Sequence, residues 1–152
     1  MSGWRVAELA ALLTGEVLPE ELLARHTSYR VGGPAEAFVV PADLADLARC
    51  LSYCTRHGVP YLVLGEGCNV LIADAGLRGV VLRLSAPAFA TISRAPVPGG
   101  RPDELLLRAG AGSSLPQLVL RARLEGLPGL VFAAGIPGSL GGAVIMNAGT
   151  SA

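Results

Sequence analysis

Three glycine-rich segments hold most of the chemistry legible in this sequence. The first, Leu64-Gly65-Glu66-Gly67-Cys68-Asn69-Val70, follows the apolar run Tyr61-Leu62-Val63-Leu64. Positions without side chains let successive backbone N–H groups converge on one oxyanion, so the loop reads as a phosphate nest. Taken alone it leaves a second reading open, a tight turn with no ligand. A dinucleotide fingerprint is excluded: the third glycine is missing, the apolar Val70-Leu71-Ile72 follows, and no long helix comes next to aim its dipole. The second segment is Gly135-Ile136-Pro137-Gly138-Ser139-Leu140-Gly141-Gly142-Ala143. It leads into Val144-Ile145-Met146 and predicts a loop opening into a helix, whose first N–H groups would also be offered to an anion. The third, Ala109-Gly110-Ala111-Gly112-Ser113-Ser114, ends a strand and starts a helix with small residues throughout. Three loops of this kind can surround an extended, flat, phosphate-bearing ligand.

Few side chains read as reactive. Cys50 and Cys54 stand four apart in a predicted helix, without the histidine or second cysteine pair that zinc requires. No metal site is expected, and the three thiols read as reduced and mostly buried. Ser113, Ser114 and Ser139 read as caps or loop donors rather than proton donors. His26 precedes a turn, and His57 sits in a last helical turn, where a cation is favoured. No residue of the chain is assigned a catalytic role.

The elements that must position these loops follow from periodicity and punctuation. Residues 6–13 and 19–25 predict two short helices, the second led by Pro19 with Glu20 and Glu21 in its first turn, a lead-in rather than a domain. Tyr29-Arg30-Val31-Gly32-Gly33-Pro34 is a turn cluster, and residues 35–40 suit a buried strand. Asp43 caps a helix over residues 44–57, with Leu44, Leu47, Ala48, Leu51 and Cys54 or Thr55 on its apolar face and Gly58 closing it. Residues 61–64 form the next strand, parallel to the first across a right-handed crossover, and the glycine loop starts at its carboxyl end. Further strands are predicted at 70–72 and 80–84, and a hairpin pairs 88–93 with 104–109 around the Pro- and Gly-rich loop 94–102. A helix then runs from Ser113 or Ser114 to Leu124, with Leu115, Leu118, Val119 and Ala122 inward and Gly126 stopping it.

The 152 residues are 51% hydrophobic and 16% charged, enough to bury a core. With net charge +0, no Lys/Arg block and 5% aromatics, the chain lacks a nucleic-acid footprint. No apolar run has the length of a membrane span or a cleavable leader, so a cytoplasmic protein is expected. The 20 glycines concentrate after residue 65, as expected where backbone approaches a ligand. Composition shifts near Ser85, so the expected organisation is a helical lead-in (1–25), a first subdomain (26–84) and a second subdomain (85–152). The second has too few strands for a finished sheet, and Met146-Asn147-Ala148-Gly149-Thr150-Ser151-Ala152 offers no closing element. A truncated protein is expected, which would self-associate through the apolar surface left exposed.

Taken in order, His26-Thr27-Ser28-Tyr29-Arg30-Val31-Gly32-Gly33-Pro34-Ala35, Leu64 to Leu71, and Gly135-Ile136-Pro137-Gly138 through Asn147-Ala148-Gly149 resemble the UDP-N-acetylenolpyruvoylglucosamine reductase family. The resemblance covers residues 26–149. It implies an α+β FAD-binding fold of the vanillyl-alcohol-oxidase type, with two subdomains holding the flavin, and a substrate domain beyond residue 152. It also implies non-covalent FAD, NADPH as the reductant, and UDP-N-acetylglucosamine enolpyruvate as the substrate of the full-length enzyme. On this likeness Gly65, Glu66, Gly67, Cys68 and Asn69 hold the diphosphate, and Leu64 and Val70 belong with them to the cofactor site. Ala111, Gly112, Gly135, Ile136, Pro137, Gly138, Gly141 and Gly142 line the way to the isoalloxazine, and Asn147 and Gly149 lie near the same wall. Arg30 either faces the phosphates or pairs with Glu36 across a turn. The family's serine proton donor, its assisting glutamate and its substrate-binding tyrosine–arginine pair belong downstream, so the fragment is expected to be inactive alone. The alternative is a non-enzymatic flavin- or nucleotide-binding module left by loss of the substrate domain. Cys68 departs from the family's usual serine, and Thr150-Ser151-Ala152 from its usual Ala-Tyr-Gly.

Overall fold

The computed structural model describes residues 4–101 and 104–150. It divides into two compact units, one ending at Ala88 and the other beginning at Phe89. Pro102 of the predicted loop, and the terminal Ser151 and Ala152, lie outside the described residues.

The first unit is built on a four-stranded sheet. Helix α1 (Val6–Leu12) precedes strand β1 (Glu16–Leu22), a 3-10 turn (Leu23–His26), β2 (Pro34–Val40), helix α2 (Leu44–His57), β3 (Tyr61–Leu64) and β4 (Leu77–Arg83). The sheet order is β1-β2-β4-β3, with β1 antiparallel to β2 and the other three strands parallel. The predicted strand–helix–strand unit is present and its strands are parallel, but β4 inserts between them. β2 and β3 are therefore not neighbours: β4 buries Gly79 through Leu82 and takes the inner position, while β3, mostly exposed, takes the edge.

Both faces of β2 and β4 are covered, which explains their runs of buried apolar residues, whereas the edge strand β3 leaves Tyr61, Leu62 and Val63 exposed. Ala37, Val39, Val80 and Leu82 pack against Trp4, Leu9, Leu13, Cys50, Tyr53 and Cys54 from the two helices. On the opposite face Phe38 and Val81 meet Leu23, Ala35, Leu64 and Ile72. Burying a side chain such as Phe38 or Leu82 contributes about 1.5–3 kcal/mol, so these two layers hold the sheet.

Helix α2 begins at the predicted cap, where the Asp43 side chain accepts the Asp46 N–H, and ends at Gly58 in the left-handed conformation. Gly58 N donates to the carbonyl of Thr55 and Val59 N to that of Cys54, the paired bonds of a Schellman end. Its inward face differs from the predicted one. Leu44 is 72% exposed, and Asp46, Cys50, Tyr53 and Cys54 point inward with Leu47 and Leu51 beside them. The reason is Asp46, a carboxylate that apolar periodicity does not count.

Two predicted elements are corrected. Residues 19–25 are not a helix: Glu16–Leu22 pairs with β2, and Leu23–His26 makes one 3-10 turn. Pro19 is tolerated because an edge strand leaves some N–H positions unpaired, and Glu20, with φ 52°, kinks the strand where a helix start had been read. Residues 70–72 form no strand. Their apolarity serves a plug instead, with Ile72 buried in the core and Leu71 79% exposed.

The second unit contains the hairpin of β5 (Ile92–Ala95) and β6 (Leu106–Ala109); the second arm lies within the predicted 104–109, but the first is shifted from 88–93, because Pro87–Phe89 makes a 3-10 turn and Arg94 and Ala95 join the strand. Helix α3 (Leu115–Leu124) buries Leu115, Leu118 and Ala122 as expected, and Gly126 N bonds to Arg123 while Leu127 N bonds to Ala122. A 3-10 stretch (Pro128–Ala133) and helix α4 (Leu140–Ile145) follow.

Candidate functional site

In the first unit the phosphate-type loop leaves the carboxyl end of β3, where ligands commonly bind in open parallel sheets. Its N–H groups from Glu66 through Asn69 have no protein acceptor among the described residues, while Val70 closes the turn over Cys68 and Asn69. Four consecutive free donors suit a diphosphate, which offers several anionic oxygens in a row. Glu66 and Asn69 are exposed, Cys68 is half-buried and Leu64 anchors the loop from the core.

Gly67 has a different use from the one its sequence suggests. It stands at φ 70°, and a Cβ there would lie 2.0 Å from the carbonyl oxygen of His26 and 2.8 Å from the Cα of Thr27. Its missing side chain therefore admits the protein's own backbone, and the bond from Ser28 N to Gly67 O (3.0 Å) clamps the two segments. Neighbouring glycines repeat the device: a Cβ on Gly33 would lie 2.0 Å from the Asp74 carbonyl oxygen, and one on Gly76 equally close to that of Pro34. The turn at residues 27–33 is thereby locked to the loop.

Arg30 sits on this turn at φ 54°, its N–H bonded to Thr27 O. Its exposed guanidinium has no ion-pair partner among the described residues. The pairing with Glu36 is absent, because Glu36 Oε2 accepts the Gly79 N–H at 2.7 Å instead.

His26 is the residue that sequence reasoning missed. Its ring stacks on Phe38 at 4.1 Å, Nε2 lies 3.0 Å from Glu21 Oε1, and Arg83 Nη1 donates to Nδ1 at 2.9 Å. A guanidinium only donates, so Nδ1 carries the lone pair and Nε2 the proton given to Glu21. No local signal marks this triad, since Arg83 is 57 positions away.

Asp46 was also missed. It is fully buried and accepts N–H bonds from Thr14 (2.9 Å), Gly15 (2.8 Å) and Ala42 (3.0 Å), with Arg49 at 2.9 Å. Burial alone would raise its pKa, but those hydrogen bonds outweigh it and hold the carboxyl well below the usual range. Its role is to tie the entry of β1 to α2, not to touch a ligand.

In the second unit the two remaining glycine segments are zipped together. Leu115 N bonds to Gly138 O and Leu140 N to Ser113 O (both 2.8 Å), around an antiparallel bridge between Ser114 and Ser139. The expectation that the second loop offers free helix-start donors is corrected. Leu140, Gly141, Gly142 and Ala143 donate to Ser113 O, Ala111 O, Ser139 Oγ and Ser139 O. The bridge consumes what an anion would have used. What remains is a surface of backbone and small side chains: Ala111, Gly135 and Pro137 exposed, Gly112, Ile136, Gly141 and Gly142 half-buried, Gly138 buried.

Asn147 has a structural explanation. It stands at φ 48° after α4, its N–H bonds to Val144 O, and Ala148 N bonds to Ala143 O, so it is the left-handed residue of a Schellman end. Its exposed carboxamide has no protein partner among the described residues, and Gly149 beside it is exposed. Ser139 Oγ caps α4, while Ser113 Oγ donates to Thr91 O and Ser114 makes no side-chain cap, consistent with structural serines. Concavities of about 500 Å³ beside Arg94 and Val97, and about 390 Å³ beside Trp4 and Arg78, include no residue of the three glycine loops.

The model of the FAD binding domain family matches residues 35–152, well over half of the sequence. The chain belongs to the FAD binding domain family. It is 47% identical over 135 residues to the UDP-N-acetylenolpyruvoylglucosamine reductase of Heliobacterium modesticaldum, a match covering 89% of this chain and 40% of that protein. The same-named protein of an Anaeromyxobacter species is 48% identical over 147 residues, covering 97% and 43%. Among solved structures, the UDP-N-acetylenolpyruvylglucosamine reductase (MurB) of Thermus caldophilus superposes with TM-score 0.67 at 36% identity, over 91% of this chain and 44% of that one. A solvent-stable cholesterol oxidase, 14% identical, matches with TM-score 0.54 over 74% of this chain and 20% of its own. This second likeness concerns the fold alone.

The resemblance drawn from the sequence motifs therefore holds, and the fold is the FAD-binding fold of the vanillyl-alcohol-oxidase type. This FAD binding domain spans less than half the length of the curated relatives it matches. In the first unit the donor set fits a phosphate-bearing cofactor, since the N–H groups of residues 66–69 have no acceptor among the described residues.

Proposed function

We propose that this chain binds FAD without a covalent link and serves as the flavin-holding portion of a UDP-N-acetylenolpyruvoylglucosamine reductase. The observation that carries the proposal is the run of N–H groups from Glu66 to Asn69 at the carboxyl end of β3, which have no acceptor among the described residues. The likeness to reductases of that name supports the choice of enzyme. In this reading Leu64 to Val70 hold the diphosphate, and Arg30, exposed and unpaired, adds a cation to it. Ala111, Gly112, Gly135, Ile136, Pro137, Gly138, Gly141 and Gly142 line the isoalloxazine end, with the free carboxamide of Asn147 and Gly149 on the same wall.

Bound FAD supplies hydride transfer, from NADPH to the enolpyruvyl double bond of UDP-N-acetylglucosamine enolpyruvate. The residues of this chain bind and orient the cofactor, and none of them is assigned the protonation step. We therefore expect no turnover by this chain alone, and a cytoplasmic location goes with the reading. No helix among the described residues is long and apolar enough to cross a membrane.

The deciding measurement is whether the purified chain, mixed with FAD and desalted, carries a yellow flavin released by acid. A colourless protein that quenches no added FAD overturns the binding proposal. NADPH-dependent reduction of the enolpyruvyl substrate by this chain alone overturns the loss of turnover.

A further inference from the structure

The first unit contains a polar triad that the flavin loop does not use directly but rests upon. His26 ends the 3-10 turn that follows β1, and its side chain is 16% exposed, as Glu21 is 15% exposed. It joins three strands: Glu21 from β1 by its Nε2 proton, Phe38 from β2 by stacking, and Arg83 from β4 by its Nδ1 lone pair. Its own carbonyl oxygen is the atom nearest the missing Cβ of Gly67. One residue later Thr27 Oγ1 donates to Val31 O at 2.9 Å, and Ser28 N then holds Gly67 O. The backbone at residues 26–28 is thus both the end of the triad and the seat of the loop.

Resting on the flavin reading above, we infer that His26 is a positioning residue for the FAD-binding loop, and that it holds the loop only in its neutral, Nε2-protonated form. Protonation at Nδ1 would turn an accepted hydrogen bond into two N–H groups facing each other, with a second positive charge beside Arg83. The charged groups around the ring are Glu21 and, through it, Arg25 (3.4 Å) on the β1 side and on the turn itself, and Arg83 from β4; β2 contributes only Phe38. An imidazolium keeps the Nε2 bond and gains the charge of Glu21, but its Nδ1 can no longer accept from Arg83, and that is the contact that must break. Acid therefore expels Arg83 from the ring, loosens residues 26–28 and releases Gly67.

The test compares wild type with His26→Asn and His26→Phe between about pH 8 and about pH 5, where an imidazole titrates. An asparagine Oδ1 replaces Nδ1 as acceptor for Arg83 and cannot be protonated, whereas phenylalanine keeps the stack and offers no acceptor. Two readouts are taken: the Kd for FAD by flavin fluorescence quenching, and the hydrogen-exchange protection of the Ser28 amide, which reports the seat without any flavin. In wild type both should weaken with acid, Kd rising by up to about tenfold per pH unit, the limit for one coupled proton. His26→Asn, which gives up the Phe38 stack and the Glu21 bond, should bind more weakly than wild type at high pH but lose the acid limb, and His26→Phe should be weak throughout with no acid limb.

Equal acid limbs in wild type and His26→Asn overturn the inference. A flavin that binds at no pH, beside a Ser28 protection that still separates wild type from His26→Asn, overturns the flavin reading and supports the role of His26. Ser28 protection with the same pH dependence in both proteins overturns that role, whatever FAD does.

Discussion

Glycines that look alike in the sequence differ in what their bare faces meet. Gly67 admits the His26 carbonyl, so Gly67→Ala combines a left-handed backbone with a 2.0 Å clash against backbone that has no flexible end to yield. We expect a loss of about 2 kcal/mol or more, read as a lowered Tm, together with lost FAD uptake. Asn147 separates a cap from a ligand group. Asn147→Gly keeps the left-handed turn and should leave Tm nearly unchanged, while Asn147→Val should cost about 1–2 kcal/mol. If Asn147→Gly also leaves the FAD Kd unchanged, the carboxamide has no part in holding flavin.

The thiols separate just as clearly. Burial, with Cys54 alongside, pushes Cys50 up to about 12, and burial raises Cys54 as well. Both stay neutral in the folded chain while unfolded thiols ionise near pH 8.5, so their contribution is complete below that pH and is lost as pH rises towards 12. At neutral pH a thiol reagent should modify half-buried Cys68 alone and reach the other two only after denaturation.

Between elements, the strongest single tie is Asp46, which reaches from α2 to the backbone at Thr14, Gly15 and Ala42. Replacing it by Asn removes the charge that four donors face, at a cost of about 3 kcal/mol. The sign with pH follows from the depressed pKa: the contribution is complete above the unfolded value of about 4 and declines as pH falls through the folded value. Urea unfolding of wild type and Asp46→Asn should therefore differ at neutral pH and converge in acid. In the second unit Glu125 is paired with both Arg94 and Arg121, but these arginines are substantially exposed and solvent screens them. The zipper between residues 111–115 and 138–141 holds that unit's loops instead, because backbone pairs are not weakened by salt.

At the scale of the whole molecule, apolar surface remains uncovered in the second unit. Ile145 is 84% exposed, Leu124 75%, and Val131 and Val144 70% each. Exposed apolar side chains of this kind favour association in water. The purified chain should elute as concentration-dependent oligomers on sizing, and Ile145→Lys should shift it toward the monomer. A wild-type chain that stays monomeric at all concentrations would count against association.

The sequence by itself determined the family, the helix α2 with both its ends, β3 and the glycine loop behind it, since these are set by local caps, left-handed glycines and ordered motifs. It also placed the capping serine at α4 and the inward face of α3. The tertiary structure alone decided which loop keeps its donors. Whether an N–H is free depends on whether another segment supplies a carbonyl: residues 111–114 do so for α4, and among the described residues none does so for residues 66–69. Likewise only strand pairing, a non-local choice, turned residues 19–22 into an edge strand, and only the folded sheet brought Glu21, His26 and Arg83 together beneath the loop.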